Sequence, residues 1–255
     1  MNNLKNLGVR LLPPILLDAL RQMRPAEFVK SDKIVASDEY INWLCTVVGG
    51  WLTPRHGNIR AFEHAIRNLP PQGAIIEIGS FLGLSTNIIA YLMAKYTKHN
   101  PFFICDPWIF EETDKKIGGY FDAGSPAFSN YAQTVFKLNC QTFSQNHYPF
   151  AIKALSDDFF AQWKVTANLN DVFDRTASLG GAIAFAYIDG AHTYEATQKD
   201  FANVDQWIVP GGFILFDDSA DGCGYESSIV AKEIMQNSRY RLVFKTPHYF
   251  FQRLR

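Results

Sequence analysis

The chain has 255 residues, of which 47% are hydrophobic and 15% aromatic, and its formal net charge is −1. This length and apolar content suit one globular domain with appendages. The near-neutral charge argues against a nucleic-acid-binding surface, which needs a basic face. The four cysteines are scattered and form no C-x-x-C pair. Neither a structural zinc nor a disulfide framework is therefore indicated, and we expect reduced thiols in a cytoplasmic protein.

Residues 1–56 are predicted to form a helical extension before the main domain. Pro13-Pro14 can begin a basic amphipathic helix that ends near Met23. The segment is too short and too interrupted to span a bilayer, and no signal peptide is evident. We expect it to pack on its own domain or on a second copy in a homo-oligomer, with weak attachment to a membrane surface as the alternative. A second helix is predicted over Asp38–Val48.

A glycine-bearing turn lies within Ala74–Ser85 (AIIEIGSFLGLS), after a predicted amphipathic helix over Asn58–Asn68. An apolar strand ends at Glu77, Gly79 and Gly83 form the turn, and an apolar helical pattern follows. Backbone N–H groups at such a helix start can face the anionic group of a nucleotide-like ligand. An ordinary strand-to-helix turn is the alternative.

The second predicted strand, Pro101–Asp106, ends in an acid. Ligands of open α/β sheets lie beyond the carboxyl ends of the strands, so Asp106 can accept hydrogen bonds from both ribose hydroxyls. A turn or cap role is the alternative. The long insertion over 107–149 includes a predicted helix around Tyr131–Phe143, and we interpret it as a lid or substrate wall, with an extra structural layer as the alternative. Its aromatic residues include Trp108, Phe110, Tyr120, Phe121 and Phe128.

A third strand is predicted over Phe150–Leu155, and Ser156-Asp157-Asp158 begins the helix after it. A polar N-cap accounts for these three residues without any further function. Contact of Ser156 or Asp157 with the edge of an adenine ring is the alternative.

Two further apolar strands also end in acids. Gly181–Ile188 is followed by Asp189, and Phe213–Phe216 is followed by Asp217 and Asp218. Adjacent strands lie ~5 Å apart, so three carboxylates would converge there, and their repulsion would raise their pKa values. A divalent cation removes this conflict, and carboxylate plus water ligation suits Mg²⁺. A turn at Asp-Gly and a helix cap at Asp-Asp-Ser are the alternatives.

His192 lies three residues after Asp189, at the same strand end. A histidine near its ordinary pKa can take a proton from a substrate hydroxyl, while a structural turn or cap role is the alternative. The chain then closes with a predicted helix near Glu226–Gln236 and two short strands, Tyr240–Lys245 and His248–Arg253, which suit an antiparallel hairpin.

Five segments together resemble class I S-adenosylmethionine (SAM) methyltransferases: EIGSFLGLST, CDPWIFE, LSDDFF, YIDGAHTYE and PGGFILFDDS. The likeness is to the macrocin-type sugar O-methyltransferases and, more distantly, to catechol O-methyltransferase, and it covers Asn58 to the C-terminus. It implies an α/β fold with a Rossmann-like, seven-stranded, mostly parallel sheet, helices on both faces and an antiparallel C-terminal hairpin. Residues 57–255 would form this domain, behind the N-terminal helical extension.

The resemblance also implies the site: Glu77, Gly79 and Gly83 would hold the methionine end of SAM, and Asp106 its ribose. Ser80, Ser85, Ser156, Asp157 and Asp189 are further expected cofactor-binding positions. Metal-binding positions fall on Asp189, Asp217 and Asp218. The catechol enzyme has asparagine as its third ligand, so Asp218 matches the sugar enzymes better. Its catalytic lysine falls at His192, which leaves His192 or solvent as the base.

The expected activity is therefore SAM-dependent O-methylation, assisted by Mg²⁺, of a hydroxyl on a glycan or other small molecule. His192 and Asp189 are the expected catalytic residues. A metal-independent methyltransferase and a non-catalytic SAM-fold interaction module are the alternatives. A nicotinamide oxidoreductase is disfavoured because Phe81 stands where the second glycine of G-x-G-x-x-G belongs.

Overall fold

The structure is a computed structural model that describes residues 38–52, 57–110, 122–145 and 147–255. The predicted helix that begins at Pro13-Pro14 lies outside the described residues, as do Tyr120 and Phe121 of the insertion. The boundaries below refer to the described ranges.

Seven strands form one sheet in the order β3-β2-β1-β6-β7-β9-β8. The first five run parallel, while β9 pairs antiparallel with both β7 and β8. This confirms the predicted seven-stranded sheet with its closing hairpin. The strands are β1 (Ala74–Ile78), β2 (Phe102–Cys105), β3 (Phe150–Ile152), β6 (Ile183–Ile188), β7 (Ile208–Phe216), β8 (Tyr240–Lys245) and β9 (Tyr249–Arg253). A separate antiparallel ribbon consists of β4 (Asn168–Asn170) and β5 (Thr176–Ser178).

Helices cover both faces of the sheet. They are α1 (Glu39–Val47), α2 (Gly57–Arg67), α3 (Leu84–Lys95), α4 (Pro126–Phe143), α5 (Ser156–Lys164), α6 (Tyr194–Asp205) and α7 (Ser227–Ile234). All residues of β1 and β6 are buried, as expected for central strands packed on both sides. Side chains alternate along β1, so Ile75 packs with α2 and α3, whereas Ile76 packs with α5 and α7.

Four sequence predictions about local structure need correction. Strand β7 begins at Ile208, five residues before the predicted start at Phe213. Helix α4 begins at Pro126, five residues before the predicted start, because the hydroxyl of Ser125 caps it and proline suits the first helical position. Strand β3 ends at Ile152 rather than at Leu155. The predicted polar N-cap of α5 is wrong, since Leu155 occupies the cap position without a side-chain hydrogen bond. The β4–β5 ribbon was not predicted at all.

Two predicted appendages contribute to the core where the structure describes them. In α1, Ile41 and Leu44 are buried against the main domain. In the insertion, α4 buries Phe136 fully, and Trp108 packs against that ring with centroids 5.1 Å apart. This part of the insertion is therefore a structural layer, and the lid stays a prediction. No described helix has the length and apolar character needed to cross a bilayer.

Candidate active site

The glycine turn after β1 lies directly against the end of β6. Gly79 has φ +82°, and a Cβ there would lie 1.9 Å from the carbonyl oxygen of Asp189. Only glycine therefore fits, for reasons of both space and backbone conformation. Gly83, at φ +89°, precedes the first residue of α3. The turn and the first strand-end acid predicted from the sequence thus meet.

Asp106 holds this turn in place. Its Oδ2 accepts hydrogen bonds from Ser80 N (2.7 Å), Ser80 Oγ (3.0 Å) and Phe81 N (3.0 Å), while Oδ1 accepts from Trp108 N (2.6 Å). Burial raises the pKa of the carboxyl, and these four donors oppose the rise. Phe81 lies at φ +49°, a conformation that costs a non-glycine residue energy. Asp106 therefore determines the conformation of the turn, and its contact with a ribose stays a prediction.

Glu77 lies beneath the turn and is fully buried. Its carboxylate accepts hydrogen bonds from Ser85 Oγ and from Thr86 Oγ1, the latter at 2.6 Å. Burial raises the pKa of Glu77 to about 8, against the effect of the two hydroxyls. Glu77 and Ser85, both predicted to contact a cofactor, bond to each other here and attach the first turn of α3 to β1.

The acids that follow β6 and β7 converge as the sequence predicts. The two strands are hydrogen-bonded neighbours, with Ile188 paired to Phe216. Burial raises the pKa of Asp189 well above its ordinary value. The nearby Asp217 carboxylate raises it further, through its charge and through a hydrogen bond between the two side chains. Tyr187 Oη donates to Asp189 Oδ2 at 3.0 Å. Close carboxylates of this kind either share a proton or bind a cation.

Asn58 and His248 also belong to this acid cluster, and the sequence analysis missed both. Asn58 Nδ2 donates to Asp217 Oδ1 at 2.6 Å from the first turn of α2. His248 Nδ1 lies 3.6 Å from the same oxygen and accepts a hydrogen bond from Ser219 N at 3.1 Å. Both residues lie far from Asp217 in sequence, in segments with no motif, so no local signal could have identified them.

One trio of described residues places its ligand atoms within 4.8 Å of one another, and it consists of Asp217, Asp218 and His248. Two carboxylates and an imidazole are a donor set that suits a divalent cation. Asp189, the third predicted ligand, contacts Asp217 but is not a member of this trio. The two carboxylates therefore fit a cation, and His248, which the sequence analysis did not include, would ligate it through Nε2, because its Nδ1 accepts the hydrogen bond from Ser219 N.

His192 lies in the connection between β6 and α6, half-buried beside the acids. Its Nε2 is 3.4 Å from Asp218 Oδ2, and its ring packs on Tyr225 with centroids 5.0 Å apart. A carboxylate at Nε2 favours the tautomer that carries its proton there, which leaves Nδ1 as the basic nitrogen. The structure thus pairs the predicted base with one of the predicted metal ligands.

The residues after β3 have different partners from those predicted. Ser156 Oγ donates to the carboxylate of Asp200 in α6. The Asp157 side chain is 56% exposed; it accepts from Asn203 Nδ2 at 2.8 Å and lies 3.6 Å from Lys199 Nζ. Asp157 is therefore directed along the outer surface of α6.

Comparisons with known proteins agree with this architecture. A family model described as a methyltransferase domain matches residues 76–219. No curated protein matches the chain by sequence. Among solved structures, the calicheamicin methyltransferase CalS11 is similar, with a TM-score of 0.54 at 15% identity over 88% of this chain and 87% of that one. The O-methyltransferase NovP has a TM-score of 0.52 at 12% identity, over 78% and 80%. An O-methyltransferase from Bacillus cereus in complex with SAH has a TM-score of 0.51 at 12% identity, over 90% and 94%. At these identities the structures show a shared fold.

Proposed function

The chain belongs to the methyltransferase-domain family, whose model covers more than half of it, and we propose that it transfers the methyl group of SAM to a hydroxyl of a sugar or another small molecule. The observation that carries this proposal is the contact between the Gly79 turn and Asp189, with Asp217 and Asp218 beside it. A cofactor turn and a set of acids that can orient an alcohol thus occupy one edge of the sheet. The methyltransferases named above support the class of reaction.

SAM is proposed to lie over the turn, with its ribose at Asp106. The Oδ1 atom of Asp106 accepts one hydrogen bond, from Trp108 N, and a carboxylate oxygen can accept two. A ribose hydroxyl can therefore bind Oδ1 without displacing the donors that hold the turn. Glu77 has an indirect role. Its hydrogen bonds with Ser85 and Thr86 hold the first turn of α3 in place, and this turn faces the proposed cofactor site.

The methyl transfer needs an acceptor oxygen that loses its proton. In the proposed step the oxygen attacks the methyl carbon in line, the carbon–sulfur bond breaks, and its electron pair stays on sulfur. His192 takes the hydroxyl proton at Nδ1, while Asp218 stabilises the resulting imidazolium through Nε2. Positioning of the two reactants supplies much of the rate.

A divalent cation is the second part of the proposal. Asp217 and Asp218 would hold it, with His248 within reach and Asp189 beside Asp217. When bound, such a cation lowers the pKa of an alcohol. Asn58 keeps the Asp217 carboxylate oriented from the protein side. Metal-independent transfer through the pair of His192 and Asp218 is the second candidate, and the distance of 3.4 Å between them is the observation in its favour.

The test is methyl transfer from labelled SAM to a panel of sugars and phenols, in Mg²⁺ and in EDTA. Activity that EDTA abolishes and Mg²⁺ restores supports the cation. Activity that survives EDTA but is lost in His192→Gln supports the metal-independent reaction. Asp174→Asn is the matched control, because Asp174 is an exposed acid in the β4–β5 turn, at φ +61°, which asparagine tolerates. If no methyl group is transferred and calorimetry detects no heat of SAM binding, the proposed activity is wrong and the chain is a non-catalytic interaction module.

A further inference from the structure

Positively charged side chains follow one face of α2 and the edge strand β8. Arg60, His64 and Arg67 are spaced i, i+4 and i+7 along α2, so they lie on the same side of the helix. Burial lowers the pKa of His64, and the charges of both helix arginines and of Arg241 in β8 lower it further. All three guanidinium groups therefore lie near the imidazole ring. We call these four residues the α2–β8 cluster.

Neutral groups hold two of these arginines in place. The Cζ atom of Arg60 lies 4.7 Å from the centroid of the Phe244 ring in β8. Arg241 Nη2 donates to Gln252 Oε1 in β9 at 2.6 Å, and Gln252 Nε2 donates to the carbonyl oxygen of Gly211 at 3.1 Å. An aromatic ring or an amide orients a guanidinium group and leaves its positive charge in place. Both arginines are therefore positioned without being neutralised.

The cluster has no acid paired with it in the part of the chain that the structure describes. There its three arginines form no ion pair, although ion pairs fix other arginines in or beside the β8–β9 hairpin. Glu63, the acid of α2, accepts a hydrogen bond from Tyr96 Oη. Arg67 Cζ lies 5.5 Å from the centroid of the Tyr96 ring, so Glu63 offsets part of the Arg67 charge. Arg60 and Arg241 thus supply two positive charges without an acidic partner among the described residues.

Two side chains of the cluster also have donors to spare. Arg60 Nη1 is buried and has no hydrogen-bond partner. His64 is half-buried against three phenylalanine rings; its hydrogen bonds with Asn68 use the backbone carbonyl oxygen, and no described residue bonds to its ring nitrogens. A buried donor without a partner costs free energy, so a bound acceptor is favoured there. A negatively charged acceptor is favoured most, because hydrogen bonds between ionised groups are the strongest.

We propose that the α2–β8 cluster binds the phosphoryl group of a small molecule. Arg60 donates to it from the helix, Arg241 from the strand, and the imidazole of His64 lies between them. Two uncompensated positive charges match a phosphate dianion, whose oxygens can accept from donors on different elements, whereas a carboxylate offers one charge and two oxygens. The inference does not depend on the proposed function, because it needs neither SAM nor a cation.

Calorimetry in EDTA at constant ionic strength tests this with inorganic phosphate, glucose 1-phosphate and glucose. The chains are the wild type, Arg60→Gln, Arg241→Gln, and Lys164→Gln as control, since Lys164 is an exposed cation at the end of α5. We expect the wild type and the control to bind phosphate equally, and each arginine substitution to weaken binding at least about 10-fold. Glucose should not bind. Tighter binding of glucose 1-phosphate than of phosphate supports an ester as the ligand, and the reverse order supports free phosphate.

A purely structural role for these residues gives a different result. Basic side chains near the C-terminus of a helix stabilise its dipole, so in that case the substitutions lower the unfolding temperature and leave phosphate affinity unchanged. That outcome overturns the inference, as does a wild type that binds no phosphate or a loss of affinity in Lys164→Gln as large as in the arginine variants. If Arg60→Gln does not fold, Arg241→Gln decides, because Arg241 is exposed.

Discussion

Glu77, the buried acid beneath the Gly79 turn, makes the unfolding free energy of this protein depend on pH, and the substitution Glu77→Gln should remove that dependence. Burial raises the pKa of Glu77 from 4.5 to about 8. One pKa unit corresponds to about 1.4 kcal/mol, so the ionised form of Glu77 costs up to about 5 kcal/mol in the fold. Because the pKa of Glu77 is higher in the folded chain than in the unfolded chain, the neutral acid contributes its full stabilisation below pH 4.5. This stabilisation is lost as the pH rises through 8.

Glu77→Gln keeps the size of the side chain and removes its titration. Between pH 5 and pH 8 the wild type should lose on the order of 3 to 4 kcal/mol of unfolding free energy relative to this variant. The measurement is urea unfolding at four pH values in that interval, followed by the fluorescence of the five tryptophans. Glu195→Gln serves as control, because Glu195 is exposed on α6 and its curve should run parallel to that of the wild type. A constant separation between wild type and Glu77→Gln across the interval would refute the reasoning.

Three further predictions concern the turn and the base. Gly79→Ala places a methyl group 1.9 Å from the Asp189 carbonyl oxygen at φ +82°; it should cost at least about 3 kcal/mol of stability, and a denaturation midpoint within error of wild type would contradict this. Asp106→Asn removes acceptor capacity from the turn; SAM affinity should fall at least about 10-fold by calorimetry, and an unchanged affinity would count against the ribose site. His192→Gln should lower kcat at least about 100-fold while SAM affinity stays constant, and an equal loss in binding would point to a structural role.

The sequence predicts the sheet and the strand-end acids for one physical reason. Apolar runs of four to six residues bounded by turns behave as buried parallel strands, and an acid after such a run must lie at the carboxyl edge. The positions of Asp106, Asp189, Asp217 and Asp218 follow from this rule. Only the relative order of the strands, which brings Asp189 beside Asp217, needs the resemblance to known enzymes.

The rest of the site depends on contacts that no local pattern encodes. Asn58 reaches Asp217 across 159 residues of sequence, and His248 reaches it from the turn of the closing hairpin. The β4–β5 ribbon was missed because Asn168–Asn170 and Thr176–Ser178 are mainly polar and only three residues long each, too short for their polar–apolar alternation to predict a strand. The contact between Ser156 and Asp200 was also missed, because no motif in the sequence distinguishes Asp200 from an exposed acid on α6.

A crystal structure with S-adenosylhomocysteine tests the central claim most directly. We expect the sulfur atom above Gly79, beside Asp189, and the ribose on Asp106. A ligand found instead in the cavity of about 440 Å³ beside β3 and α5, which Lys153 and Gln162 line, would contradict it.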